Sequence, residues 1–402
     1  MYNTAMTTKN NLNSTLGTGR IKKATLAAGI TLIIVITTLC IYLYRRQTIS
    51  AAFYGIDEKT AAEIGKQISA GRTGRIVIKT LDSTRPIPKS ALKKYHLLFA
   101  WNNSFGEEFE TIAQKSQSPA DIQYIQMPDS IAQAGVHNGK RYALPLLINH
   151  YELAFYQMPR KKENIPLPRT LDEFEIYLSL IKKDVHYPFA CAGGEDEIML
   201  ALVSAVAEST GGAPAVEQLR TEINSSKHIA DILDIQLAQD ATLRTVLDRI
   251  RTWQQRKLIH PRWYETHDTD LTSYIQNKET GVVFMTLSNH RKYDSKIINY
   301  YDTIRFVPAV PGNHALIAPV LCAIVFKNTA GEENTLSRLV APAVQEKLSQ
   351  TSQLAPVSSR AAAHDMQSDN VRFWAASCAA GPVPPVYASH ALAEEIRNYL
   401  KN

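Results

Sequence analysis

Cysteine is scarce in this chain: four among 402 residues, with Cys40 inside an apolar run and Cys191, Cys322 and Cys378 sharing no C-x-x-C pair. That spacing speaks against a disulfide framework and a structural zinc site, and the odd count outside the run leaves at least one thiol free. Cys322, in "IAPVLCAIVF", reads as a small buried hydrophobe. The catalytic signatures H-E-x-x-H, G-x-S-x-G and the phosphate-binding glycine loop are missing too. The chain is therefore read as a non-enzyme with no metal and no cofactor. No run of Lys and Arg interleaved with aromatics occurs, so nucleic acid is not an expected partner. Tandem repeats and low-complexity tracts are absent as well. What remains is ordinary globular composition, 45% hydrophobic and 20% charged, with a modest net charge of +6. The length suggests two or more lobes.

The longest apolar run is "ATLAAGITLIIVITTLCIYLY", Ala24 to Tyr44, which carries no formal charge. About 20 such residues cross a bilayer core of roughly 30 Å, so a single spanning helix is expected. Arg20, Lys22 and Lys23 precede it and Arg45 and Arg46 follow, a slight bias toward a cytoplasmic N-terminus. The run is longer than the ~7–15 residues usual in a cleaved signal. A retained anchor is the reading adopted; lipidation at Cys40, where Leu39 is bulkier than an acceptor site favours, and cleavage after Ser50–Ala52 stay open.

Beyond the run, strand and helix signals alternate. "TISAAFYG" (48–55) reads as a strand, "DEKTAAEIGKQISAG" as a helix starting at Asp57, "RIVIKT" (75–80) and "HLLFAW" (96–101) as strands, and "NNSFGEEFETIAQ" as a loop then a helix. Such a series builds a mostly parallel sheet with functional loops at its strand C-termini. Further on, Thr170 stands three positions before Glu173, as in a capping box. Leu243, Val246, Leu247, Ile250 and Trp253 mark an amphipathic helix that ends before His260-Pro261. Val282–Leu287, Thr303–Gly312 and the run from Ala315 read as strands.

One stretch breaks the pattern. In "VHNGKRYALPLLINHYELAFYQ" (136–157), Asn149, His150, Tyr151 and Glu152 interrupt an apolar strand that also contains Pro145. Proline lacks a backbone donor, so an edge or crossover strand is expected, split in two at the polar residues.

That stretch, followed by "PLPRTLDEF" and then by "NKETGVVFMTLSN", "FVPAVPG" and "EKLSQTSQLAPVSS", resembles in order and spacing the extracellular solute-binding proteins of bacterial ABC importers, in particular the maltose-binding type. The resemblance implies an α/β, two-lobed periplasmic-binding-protein fold (type II) with a hinge, preceded here by the N-terminal transmembrane helix. The expected boundaries are a cytoplasmic tail over 1–23, the anchor over 24–44, lobe I over 48–149 plus 313–363, and lobe II over 152–306 plus 367–402. Hinges are expected near 149–152 and 307–312. The implied function is capture of a small solute, a carbohydrate, by hinge closure. The implied partners are the solute, ABC transporter permease subunits and the membrane through residues 24–44. A monomer on the inner (cytoplasmic) membrane is expected, its soluble part in the periplasm or extracellular space. The alternative is a membrane-anchored sensor or surface interaction protein that keeps the fold without transport.

Candidate ligand contacts follow from the strand ends. Trp101, Asn102 and Asn103 combine an aromatic face with amide groups, as a sugar ring needs. Asn149, His150 and Glu152 stand at the crossing, and His150 and Glu152, two apart on a strand, would share a face. Ser288 and Asn289 follow the strand ending at Leu287, where the resemblance implies cleft residues. Family members that bind sugar often carry tryptophan there and this chain does not. Trp263 and Tyr387 are stacking candidates for which core packing is equally open. In "ACAGGEDEIML" the acidic residues after the glycines exclude a phosphate site, because they would repel the anion.

Overall fold

The computed structural model describes residues 30, 33–38, 48–70, 75–83, 85–233, 242–307, 313–327 and 330–401. Most of the apolar run, and the return-hinge segment 308–312, lie outside the described residues. Residues 33–38 are helical, with Ile33, Ile34, Val35 and Ile36 exposed.

Among the described residues ten strands make up the two larger sheets: β1 Ile49–Tyr54, β2 Ile76–Leu81, β3 Leu97–Trp101, β4 Ala143–Ile148, β5 Tyr151–Tyr156, β6 Tyr187–Cys191, β7 Thr280–Thr286, β8 Tyr301–Arg305, β9 Val320–Val325 and β10 Ala355–Pro356. They form two sheets. The first has the order β10-β4-β9-β3-β1-β2, with β1, β2 and β3 parallel and β9 antiparallel to both β3 and β4. The second has the order β8-β5-β7-β6, with β5 antiparallel to β8 and β7. The interior strands β3, β4, β5, β7 and β9 bury nearly every residue, which is why they read as continuous apolar runs rather than alternating ones.

Each sheet has its own core. The first centres on Phe53 stacked on Phe99 (centroids 5.2 Å apart) with Ile64, Ile112, Leu144 and Leu321. In the second, Phe155, Phe174, Phe189, Phe284, Trp253 and Phe306 pack mostly edge to face. Local signals place the helices as expected: the Asp57 side chain accepts from the Thr60 amide (2.9 Å) at the start of Glu58–Ser69, and Thr170 Oγ1 accepts from the Glu173 amide (3.2 Å). The Glu173 carboxylate reaches back one residue further than a capping box requires, to the Arg169 amide (2.7 Å).

Pro145 finds its place in β4 because β10 pairs only with Leu147 and Ile148, while a register shift in β9 falls opposite Pro145. Over most of its length β4 is therefore an edge on one side. Between β4 and β5 stand only Asn149 and His150, so the polar interruption is where the chain passes from one sheet to the other.

One boundary differs from the sequence reading. The helix Met366–Ser377 was expected with the second lobe; it buries Val371 and Ala375, followed by Cys378, in the first core. The chain returns to the second core only at Val386, Ala388 and the helix His390–Lys401. Among the described residues one helix, Asp196–Ser225, is long and apolar enough to cross a membrane, but it is mostly buried inside the second core.

Candidate functional site

Polar side chains gather in two places around the crossing. On one side lies a mostly buried knot. The Asn149 amide nitrogen donates to the Pro319 carbonyl (2.8 Å), its Oδ1 accepts from the Ser288 amide (3.0 Å), and its Nδ2 donates to Ser288 Oγ (3.0 Å). Glu152 is fully buried; His290 Nδ1 lies 2.6 Å from its Oε1, and Gln367 Nε2 donates to both carboxylate oxygens (3.0 and 2.9 Å). His290, not His150, is thus the partner of Glu152. His150 precedes β5, packs its ring against Trp374 (5.4 Å between centroids), and leaves Nδ1 without a hydrogen-bond partner. Burial, with the Arg305 charge behind it, lowers its pKa to about 3.

On the other side is a cavity of about 330 Å³, lined by Asn103, Ser104, Asp196, Glu197, Tyr387 and His390, with Leu200, Pro385, Val386 and Ala388 beneath. Asn103 and Ser104 follow β3 of the first sheet, whereas Asp196, Glu197 and Leu200 open the long helix of the second core. The two bodies meet here: Asn103 Nδ2 donates to Glu197 Oε1 (3.1 Å), an oxygen that also accepts from the Tyr151 hydroxyl (2.6 Å). Tyr387 lies against Gly106, whose φ of +49° and absent Cβ let the ring approach; a Cβ there would stand 2.9 Å from the ring. Burial, then the nearby Glu107 charge, raises the Tyr387 pKa.

One wall of the cavity is an ion-pair chain. His390 Nδ1 meets Asp196 Oδ2 (2.7 Å), Arg397 donates to Asp196 Oδ1 (2.6 Å), and Arg397 also pairs with Glu394. Burial opposes ionisation of Asp196, but the hydrogen bonds from His390 and Arg397 prevail and hold its pKa below the usual carboxylate range. The same bond raises the pKa of His390. Asp196, His390 and Glu394 stand close enough to ligate a metal, but the Arg397 guanidinium already occupies the space between the carboxylates.

The expected site residues thus divide. Asn103 and Tyr387 line the cavity, while Asn149 and Ser288 are partners in the knot beside Glu152. Asn289 is half-buried and tied to Thr286, Asp268 and Lys292. Three candidates lie outside the lining of the cavity. Asn102 is buried and pins β3 to β9 by accepting from the Val320 amide (2.9 Å). Trp101 is half-buried against the first core and does not line the cavity. Trp263 is wholly buried over Gly193, where a Cβ would lie 2.4 Å from the ring, so its face is not open to a ligand. The sequence reading missed Asp196, Glu197, His390 and Gln367. The signal for the first two was the "GGEDE" stretch, whose side chains rather than backbone donors face the cavity. A larger groove of about 660 Å³ runs between the helix Glu58–Ser69 and β2, on the outer edge of the first sheet and away from the crossing.

No family model matches the chain, and no curated protein matches it. Solved structures do. The bacterial solute receptor AcbH, described as having an exclusive preference for b-D-galactopyranose, matches with a TM-score of 0.68 at 14% identity over 88% of this chain and 91% of its own. The fold is that of a bacterial solute receptor. Apo RafE from Streptococcus pneumoniae matches this solute-receptor fold with a TM-score of 0.65 at 15% identity, covering 88% of this chain and 93% of that one. A cyclo/maltodextrin-binding protein complexed with maltotetraose matches with 0.60 at 14% identity, covering 88% and 91%.

Proposed function

We propose that the chain is a membrane-tethered, extracytoplasmic solute-binding protein of an ABC importer that captures a small carbohydrate between its two bodies by hinge closure. The cavity carries the reading, because strand and helix ends from both bodies converge on it and each body alone would present only half a wall. One tyrosine ring beside amide, hydroxyl and carboxylate groups suits a sugar, whose ring faces are apolar and whose rim is a belt of hydroxyls. A volume of about 330 Å³ fits one or two sugar rings rather than a long oligosaccharide. The solute receptors of like fold bind galactopyranose, raffinose and maltotetraose. The match to apo RafE (0.65) exceeds the match to RafE with raffinose (0.60), which supports reading this arrangement as the ligand-free one.

In this reading lobe I comprises 48–149, 313–363 and the helix Met366–Ser377, lobe II comprises 152–306 with the helix His390–Lys401, and Asn149–His150 absorbs the backbone change on closure. Retention of Ala24–Tyr44 as the anchor is favoured over cleavage after Ala52. That cut would divide β1, whose Ala51 and Ala52 are fully buried. Titration calorimetry of the detergent-solubilised full chain against galactose, raffinose, maltose, amino acids and polyamines tests the reading. Saturable binding confined to a sugar is expected, and binding confined to amino acids or polyamines would overturn the carbohydrate assignment. A sensor without a transport role is the second reading, favoured by the very short spacer between the apolar run and β1.

A further inference from the structure

Glu197 stands at the cavity with one carboxylate oxygen committed and the other free. Its Oε1 accepts from the Tyr151 hydroxyl (2.6 Å) at the start of β5 and from Asn103 Nδ2 (3.1 Å) beyond β3. Its Oε2 has no hydrogen-bond partner among the described residues, and Asn103 Oδ1 beside it also lacks a donor. Both donors to Oε1 are neutral, so the carboxylate is oriented without being neutralised.

The charges around this oxygen do not cancel. Asp196 and Glu394 share the Arg397 guanidinium, and His390 adds to the positive side of Asp196. Glu195 is matched by His267 (2.9 Å), and Asp82, whose charge reaches Tyr54, is matched by Arg85 (3.4 Å). Glu107, whose charge reaches Tyr387, has no ion-pair partner among the described residues. The N-terminal end of the helix Asp196–Ser225 supplies about half a positive charge, less than Glu107 and Glu197 together carry. No lysine or arginine lines the cavity, although the whole chain carries a net charge of +6. A ligand with hydroxyls alone would give Oε2 a neutral hydrogen bond and leave this negative excess in place. An ammonium group would supply the bond and the charge together, and charge-assisted bonds are roughly twice as strong as neutral ones. The exposed Tyr387 ring attracts a cation as well, through the negative face of its π-system. We propose that the solute taken by this cavity is an amino sugar, its ammonium group bound to Glu197 Oε2. The inference rests on the carbohydrate reading above for the ring and on Glu197 for the charge.

Titration calorimetry of the detergent-solubilised full chain compares galactosamine and glucosamine with galactose, glucose and the two N-acetylated forms. At least one amine should bind about tenfold or more tightly than its neutral counterparts. That binding should weaken when salt is raised to about 0.5 M. Glu197→Gln keeps an oxygen for Tyr151 and Asn103 and should erase the preference, with any neutral-sugar affinity changed less than about threefold. Equal affinity for amine and neutral sugar, or a preference that survives Glu197→Gln, overturns the amino sugar and leaves the carbohydrate reading standing. Failure of both amines to bind overturns it too, and binding of lysine or putrescine by a chain that takes no sugar overturns both readings. Should Glu197→Gln melt early, the amine-to-neutral ratio of the unmodified chain and its salt dependence decide.

Discussion

The two polar groups flanking the crossing use similar residues in opposite ways. In the knot, Asn149, Glu152 and His290 are buried and bonded, Asn149 to Ser288 and Glu152 to His290 and the half-buried Gln367. At the cavity, Asn103, Glu197, Tyr387 and His390 are half or largely open, each with hydrogen-bonding capacity left over. A buried polar group without its partner is costly, so the knot is a structural joint; an open, partly satisfied group costs little and can turn to a ligand.

The sharpest break of this contrast is Glu152→Ala. It leaves the buried His290 and the half-buried Gln367 without their carboxylate, and the fold should lose about 3–5 kcal/mol in denaturant titration. A loss under about 1 kcal/mol would show that water reaches the knot. Next in size is the acid response of His150. Its folded pKa of about 3 lies below the ordinary 6.5, so the stability it contributes is full above about pH 6.5 and drains as pH falls toward 3. The expected slope is about 1.4 kcal/mol per pH unit, and His150→Asn should remove it from unfolding curves taken at about pH 7 and about pH 5. Identical slopes in both proteins would mean the imidazole is solvated. The smallest effect is expected at the cavity: Tyr387→Ala should alter the ligand-free melting free energy by no more than about 0.5 kcal/mol while weakening sugar binding by about 1–3 kcal/mol. A large stability loss would place Tyr387 with the structural residues instead.

Much of this scaffold was legible because its signals are local. Strands buried on both faces write themselves as apolar runs, Asp57 and Thr170 cap their helices, and the break at Asn149–His150 marks the passage between sheets. The site was less legible because its walls come from segments about 90 and 190 residues apart that only the topology unites. Trp263 and Tyr387 both sit in aromatic, loop-like sequence, yet one is sealed under Gly193 and the other lies open at the cavity. The helix Met366–Ser377 misled for a related reason: its apolar face fits either core, and packing against the first was decided by its neighbours Asp129–Ala132 and β10.

The position of β9 has a consequence for how the molecule comes into being. It lies between β3 and β4, near the middle of the first sheet, yet it is made some 170 residues after β4. Until Val325 has left the ribosome, β3 and β4 have no common neighbour, and each keeps a long apolar edge unpaired while the whole of the second sheet is synthesised. The second sheet can thus be complete before the first is, although the second core still waits for the helix His390–Lys401. Folding of the first body waits on a distant strand, a slow closure that leaves two sticky edges in need of shelter during translation.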